Sequence, residues 1–237
     1  MPPNNQGKPR HSAVTNLLFN IVIPTLILTK FSGEEDLGPS LSIIIALAFP
    51  VSFGAWDYIK TRRTNIFSIL GFVSILLTGG ISLLELDPQY IAIKEAAIPG
   101  LIGLATLLSL YTPYPLIKTL LFNDEVVDTA RIEKALSEHN AHNAFNVALR
   151  RATYLLAFSF FLSSTLNYLL AKFILVSPPG TPEYSAELGK MTGLSFPVIA
   201  LPCTIVMMGA LFYLMNRVKS LTALELEQIF RLHQDQN

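Results

Sequence analysis

The sequence predicts an all-helical, polytopic transmembrane bundle of six helices, with the amino and carboxyl termini both in the cytoplasm. Of its 237 residues, 51% are hydrophobic and only 14% are charged, whereas soluble domains carry about 25% charged residues. The apolar residues form six blocks close to the roughly 20 residues that a helix needs to cross a bilayer. Lysine and arginine also lie mostly on one side of these blocks, which is typical of membrane proteins.

Each apolar block is predicted to be a helix, because backbone amides inside a bilayer must form hydrogen bonds within the protein. A closed barrel is the other solution, but these blocks lack the alternating polar and apolar residues of barrel strands. The predicted spans are residues 16–31, 40–59, 66–84, 95–111, 152–176 and 194–216.

The first block has a second reading as a secretory signal peptide, since Lys8 and Arg10 precede its apolar stretch. Lys30, Phe31 and an acidic run follow that stretch, and they offer no small-residue cleavage site. We therefore expect a retained transmembrane helix.

The distribution of basic residues predicts the orientation of the chain. Of the 17 lysines and arginines, all except Lys30, Lys94, Lys172 and Lys190 fall on one side of the six spans. Short loops rich in lysine and arginine stay in the cytoplasm. An even number of spans then places both termini on the cytoplasmic side.

One segment outside the spans is predicted to form a surface helix that leads into the fifth span. In the insert between the fourth and fifth spans, Asp128 is predicted to cap a helix with a narrow apolar face made of Ile132, Ala135 and Leu136. The predicted organisation is a cytoplasmic tail (1–15), a transmembrane domain (16–217) with a cytoplasmic helical insert (118–151) and a proline-rich outer turn region (177–193), and a cytoplasmic helix (218–237).

Several stretches of the chain resemble a bacterial inner-membrane family of undetermined function, whose members are often named as transporters. These stretches are NLLFNIVIPTLIL, LLTGGISLLELDPQYIAIKEAAIP, RRATYLLAFSFFLSS and VSPPGTPEYSAELGKMTGLSFPVIALP. The resemblance implies six spans and a bacterial inner-membrane location, and it supplies no catalytic or binding motif. More remotely, the first hundred or so residues are similar in hydropathy and loop charge to septation protein A, an inner-membrane protein linked to division and envelope synthesis.

Motifs for enzymatic chemistry do not occur in the sequence. It contains no GxxxxGKS, GxSxG, HExxH or CxxC, the minimum parts of phosphate-binding, hydrolase, metalloprotease and dithiol sites. The net charge is zero, and no basic run interleaved with aromatic residues indicates nucleic-acid binding. We predict no enzyme, no catalytic residue, no cofactor and no nucleic-acid partner.

Two histidines in the insert are the only candidate metal ligands that the sequence places together. His139 and His142 lie about one helical turn apart, beside Glu138, and can share an ion. Catalytic zinc usually needs three protein ligands. We therefore favour a solvated helix end and predict no metal site.

Polar residues spaced four apart occur inside three spans, so each set lies on one helix face. Such a face avoids lipid, and the sets are expected to face one another. We favour hydrogen bonding between helices over a solute path. The sets are Asn16 with Asn20, Ser74 with Thr78 and Ser82, and Ser159 with Ser163 and Asn167, while Ala92, Ala96 and Gly100 predict a close-packing face.

Charges and prolines at the spans complete the candidate features. Lys94 and Glu95 open the predicted fourth span, and a charge near hydrocarbon needs a partner or water. We expect their side chains to reach the headgroups, with the rim of an outward-facing vestibule as the alternative. Prolines interrupt four of the spans at Pro24, Pro50, Pro99, Pro197 and Pro202.

The polar sets and proline breaks motivate the functional hypothesis, which is binding or passage of a small solute or ion through a central polar region. The competing hypothesis is a non-transporting membrane scaffold for envelope synthesis or septation, which recruits partners through the insert and the C-terminal helix. Expected partners are the lipid bilayer, a small solute or ion, and further copies of the chain or envelope proteins. The residues predicted to bind are Asn16, Asn20, Thr78, Ser163, Asn167, Lys94 and Glu95.

Overall fold

The computed structural model of the chain describes residues 15, 17–61, 66–112, 116–121 and 127–229. Four helices in this part are long and apolar enough to cross a membrane, as in a multi-pass integral membrane protein. They are Gly38–Trp56, Gln89–Tyr111, His142–Ile174 and Pro182–Thr222. The other two predicted spans coincide with shorter apolar helices, Leu18–Lys30 and Leu70–Leu83. The count of six and the cytoplasmic termini stay predictions.

The described residues form helices joined by short connections. In chain order these are α1 (Leu18–Lys30), α2 (Gly38–Thr61), α3 (Ile66–Leu83), α4 (Gln89–Leu108), α5 (Leu116–Leu121), α6 (Thr129–Glu138), α7 (His142–Ile174), α8 (Pro182–Ser195), α9 (Leu201–Thr222) and α10 (Leu226–Ile229). The chain divides into two compact units. The first unit comprises Met1–Glu95 with Tyr168–Phe196, and the second comprises Ala96–Asn167 with Pro197–Asn237.

The core of the first unit forms where α1, α2, α8 and the start of α4 supply large apolar side chains. Leu28, Ile43, Ile91, Tyr184 and Leu188 are almost completely buried there. Each comes from an apolar face of its helix, which is the arrangement that excludes lipid and water from a packed interior.

Two glycines allow α1 and α8 to cross in close contact. A Cβ atom at Gly189 would lie 2.7 Å from the Leu28 Cβ atom and 3.1 Å from the Thr25 carbonyl oxygen, and one at Gly193 would lie 3.1 Å from Thr25 Cγ2. The spacing of these glycines is the GxxxG pattern of close membrane-helix pairs. This pattern is visible in the sequence, although it was not among our predictions.

The predicted outer turn region, 177–193, is mostly helical, so that prediction was wrong. The Thr181 hydroxyl oxygen accepts a hydrogen bond from the Tyr184 N–H at 3.2 Å, and Pro182 occupies the first turn of α8. A proline at this position favours a helix start rather than a break. The Glu187 carboxylate also accepts bonds from the N–H groups of Val176 and Ser177, each at 2.9 Å.

The insert of the second unit contains the helix that the sequence predicts. The Asp128 side chain caps α6 by accepting a bond from the Arg131 N–H at 3.0 Å. Ile132, Ala135 and Leu136 are buried, which confirms the predicted apolar face. The Asp128 N–H donates to the Ile229 carbonyl oxygen at 2.9 Å, so α10 is tied to this insert.

The predicted fifth span and the end of the insert form one continuous helix. α7 has 33 residues and begins at His142, ten residues before the predicted start of the span. Residues 142–151 contain neither glycine nor proline, and Arg150 with Arg151 marks a change of polarity rather than a helix end. The predicted start at residue 152 was therefore wrong.

Prolines affect these helices in two ways. Pro50 and Pro99 lie inside α2 and α4, which continue past them. A π-helical turn, Leu18–Val22, precedes Pro24, and another, Phe196–Ala200, joins α8 to α9. Proline lacks the N–H of a regular turn, and these wider turns change the local hydrogen-bond register.

Candidate functional site

The start of α4 determines where two charged residues lie in the first unit. The Asp87 Oδ1 atom accepts a hydrogen bond from the Gln89 N–H at 2.8 Å, and Pro88 lies between these residues. Aspartate before a helix and proline in its first turn both favour a helix start. α4 begins at Gln89, and the predicted start at Glu95 was wrong. Lys94 and Glu95 therefore lie in its second turn.

Lys94 lies on the face of α4 that packs into the core. Ile91, one turn earlier, is completely buried, and the Lys94 side chain is only 8% exposed. Ile93 lies on a different face and is half exposed. Our expectation that Lys94 reaches the headgroups was wrong, because its position on the helix directs the side chain into the unit.

The Lys94 ammonium group is surrounded by four oxygen atoms. Its Nζ atom lies 2.6 Å from Thr78 Oγ1, 3.1 Å from Ser74 Oγ and 3.2 Å from the Ser74 carbonyl oxygen. The fourth atom, Glu95 Oε1, lies 2.7 Å from Nζ in a salt bridge. We call Ser74, Thr78, Lys94 and Glu95 the Lys94 cluster.

The polar set of α3 lies on an interior face of the first unit, as its spacing predicts, while the mutual contact of the three polar sets stays a prediction. Thr78 Oγ1 donates its proton to the Ser74 carbonyl oxygen at 3.0 Å, which leaves its lone pairs for Lys94. Ser82, one turn further along, is buried and shares a hydrogen bond with the Tyr184 hydroxyl at 3.3 Å. The partners of this set are thus a lysine and a tyrosine.

The cluster lies well inside the apolar length of α3. This helix has 18 residues and ends at Leu83. Thr78 is five residues before that end and Ser74 nine, so they lie about 7.5 and 13.5 Å along the helix axis from it at 1.5 Å per residue. In a hydrocarbon layer about 30 Å thick, the ammonium lies below the headgroup region when α3 crosses the membrane.

Glu95 supplies the more accessible side of the cluster. Its side chain is 27% exposed, compared with 8% for Lys94. Oε1 bonds to Lys94, whereas Oε2 has no hydrogen-bond partner among the residues that the structure describes. The cluster therefore combines one positive and one negative charge, with a carboxylate oxygen available to a further donor or cation.

The pairing of Lys94 with α3 has a sequence signal that our predictions did not use. Helices joined by a short turn run antiparallel, so residues equally distant from the turn lie at the same depth. Thr78 and Lys94 are each eight residues from Leu86, which lies in the turn between α3 and α4. This symmetry predicts their contact, and it also brings in Ser74, which we had not included among the binding residues.

The other predicted binding residues lie elsewhere. Asn16 is outside the described residues. Asn20 lies in the π-helical turn of α1, in the first unit, where it interacts with another group of the structure. Ser163 and Asn167 lie on α7 in the second unit, where Asn167 Nδ2 donates to the Ser163 carbonyl oxygen at 2.8 Å. A central region shared by all seven residues stays a prediction.

The polar residues of α7 link helices of the second unit through uncharged groups. The Ser159 hydroxyl donates to the Cys203 carbonyl oxygen at 2.8 Å, and the Ser164 hydroxyl donates to the Ala96 carbonyl oxygen at 2.7 Å. A Cβ atom at Gly100 would lie 3.1 Å from Ser164 Oγ. The predicted close-packing face is therefore confirmed at Ala96 and Gly100.

The histidine pair lies at the boundary between α6 and α7. His139 is the C-terminal cap of α6. The His142 Nε2 atom lies 3.1 Å from Ser137 Oγ, and its Nδ1 atom lies 3.6 Å from Glu133 Oε1. Within the described ranges, no three His, Cys, Asp or Glu residues form a group suited to a metal ion.

Comparisons with known proteins give no further guide to this site. No family model, curated protein or solved structure matches the chain. The resemblance to an inner-membrane family stays a prediction from the sequence, so the function must be inferred from the chemistry of the Lys94 cluster.

Proposed function

We propose that this chain is an integral membrane protein that binds a small ion or solute at the Lys94 cluster and passes it across the bilayer. The observation that carries the proposal is the lysine ammonium held inside the first unit by Ser74, Thr78 and Glu95. We further propose a six-span topology in a bacterial inner membrane, with both termini in the cytoplasm, on the distribution of lysine and arginine.

The cost of a charge inside a membrane supports a functional role for Lys94. Placing a lysine at the centre of a transmembrane helix costs about 3 kcal/mol in insertion measurements. A methionine has a similar length and would fill the same space without that cost, and buried ion pairs seldom add net stability over apolar residues. Intramembrane charges of this kind commonly mark pathways for ions, protons or substrates.

The chemistry of the cluster fits a small, polar and charged cargo. Lys94 and Glu95 together are neutral, so the cluster can exchange one cation for another without leaving a net charge in the bilayer. Glu95 is partly exposed and offers its Oε2 atom as a point of entry. The proline-associated turn at Leu18–Val22 belongs to the same unit and adds irregular backbone, which membrane transporters use beside cavities.

Transport is tested by flux into liposomes that contain the purified protein. We expect the wild type to pass at least one small ion or metabolite above the leak of empty liposomes, and Lys94→Met to reduce that flux severalfold. The matched control is Lys172→Met, since Lys172 is exposed on α7. A wild type that passes no tested solute, or a Lys172→Met effect equal to that of Lys94→Met, would contradict the proposal.

The second candidate, a membrane scaffold, is favoured by the surface of the cytoplasmic insert. An open groove of about 510 Å³ lies there in the second unit, with Arg131, Lys134 and Glu138 among its lining side chains. In this case, deleting the chain should cause a growth and division defect that is rescued by the Lys94→Met variant but not by the charge-reversed variant Arg131→Glu with Lys134→Glu. The transport proposal predicts the opposite pattern of rescue.

A further inference from the structure

The oxygen atoms around the Lys94 Nζ atom outnumber the protons that its ammonium group can donate. The –NH3⁺ group of a lysine carries three protons, yet four oxygens lie between 2.6 and 3.2 Å from the Lys94 Nζ atom, so at least one proton is shared between two oxygens. A spherical ion has no such limit, because its attraction to oxygen has no fixed direction. The four oxygens are also of mixed type: one carbonyl, two hydroxyls and one carboxylate.

We infer that this oxygen set is a binding site for a monovalent cation, which the Lys94 ammonium occupies in the structure. A carbonyl, two hydroxyls and a single carboxylate supply one negative charge, which a monovalent cation balances and a divalent cation does not. The inference rests on the proposed function and identifies the transported cargo as a small monovalent cation. Potassium, sodium or ammonium ions would compete with the lysine for the same oxygens.

The side chains allow such an exchange. Lys94 has a flexible four-carbon stem, so its ammonium group can leave these oxygens while its Cα atom stays on the buried face of α4. When it leaves, Ser74 Oγ, Thr78 Oγ1 and Glu95 Oε1 lose their shared partner while they remain in a mostly buried place. Buried oxygens without a partner are costly, so an incoming cation restores their contacts and keeps the site neutral.

The lysine can be removed to test the vacated site directly. In purified Lys94→Ala, we expect potassium, sodium or ammonium chloride to raise the unfolding temperature by about 3 °C or more, and to do so saturably, relative to choline chloride at equal ionic strength. The wild type and Lys172→Ala should show no such rise. Adding Thr78→Val to Lys94→Ala should weaken the response. A Lys94→Ala protein that responds equally to choline and to every small cation would overturn the inference.

A measurement on the wild type serves if Lys94→Ala does not fold. Free cations should displace the lysine, so acylation of Lys94 by an amine reagent should increase severalfold in the preferred chloride compared with choline chloride. Acylation of Lys172 should stay constant. Labelling of Lys94 that is the same in all of these salts would overturn the inference.

These binding readouts are independent of flux. A cation response in Lys94→Ala from a protein that passes no solute leaves the cation site standing and removes the transport proposal. Flux in the wild type without any cation response removes the cation site and leaves transport of another solute.

Discussion

The polar residues of α3 and those of α7 follow the same spacing, yet they have different roles in the two units. On α7, Ser159 donates to the Cys203 carbonyl oxygen and Asn167 donates to the Ser163 carbonyl oxygen, and every group involved is uncharged. On α3, Ser74 and Thr78 accept from the buried ammonium of Lys94. Spacing alone places polar groups on an interior face, and only the partner decides whether they join helices or hold a charge.

Among the variants that test this difference between α3 and α7, removing the carboxylate of the Lys94 cluster should change the free energy of unfolding most. In Glu95→Gln, the ammonium stays buried without its counter-charge, and we expect the free energy of unfolding to fall by about 3 kcal/mol, as when one partner of a buried ion pair is lost. Denaturant titration in detergent measures this change.

Two further variants complete the Glu95 experiment. The exposed Glu35 provides a matched control, and Glu35→Gln should change stability by less than about 0.5 kcal/mol. Adding Lys94→Met to Glu95→Gln should recover most of the loss, since no charge then remains. Equal stability of Glu95→Gln and the wild type would show that the pair is not buried.

Replacing one threonine on each helix separates the ammonium contact of Thr78 from the backbone hydrogen bond that both threonines make. Thr78 and Thr165 both donate to the carbonyl four residues earlier, at 3.0 and 2.9 Å, and only Thr78 also contacts an ammonium. Thr78→Val should therefore lower the free energy of unfolding by about 2 kcal/mol, the typical value for a hydrogen bond to a charged group. Thr165→Val should change it by less than about 0.5 kcal/mol. Similar losses of stability in both variants would show that the contact between Thr78 and the Lys94 ammonium adds no stability.

The smallest effect is expected at the neutral contacts of α7. Ser164→Ala removes one uncharged hydrogen bond to the Ala96 carbonyl oxygen, and such bonds between membrane helices average about 0.6 kcal/mol. The same titration should give a loss well below that of Thr78→Val. A loss above about 2 kcal/mol would mean that α7 also holds a strongly bound polar centre.

Hydrophobic length and local capping were sufficient to predict several elements of the fold. The span predicted at 66–84 is the helix Ile66–Leu83, because an apolar block of that length has few other structures in a bilayer. Asp128 caps α6 as predicted. The starts of α4 and α7 were wrong, since both were placed at charged residues, and a charge marks a polarity boundary without ending a helix.

The candidate site was predicted in part. The spacing of Ser74, Thr78 and Ser82 placed them correctly on an interior face. The direction of Lys94 was not predicted, because a lysine near a helix end has two low-cost arrangements, one toward water and one toward buried acceptors. The choice depends on which face of α4 is turned toward α3. Counting residues outward from Leu86 in the turn predicts that face, whereas hydropathy does not.

The proposed function depends on one structural claim, namely that the Lys94 ammonium lies inside the first unit rather than at the membrane surface. Amine acylation of the native protein in membranes, followed by mass spectrometry, measures how accessible each lysine is. We predict that Lys30, Lys172 and Lys190, which are exposed, react readily under cation-free conditions, while Lys94 reacts only after unfolding. Labelling of Lys94 in the native protein at the same rate as Lys190 would contradict the claim.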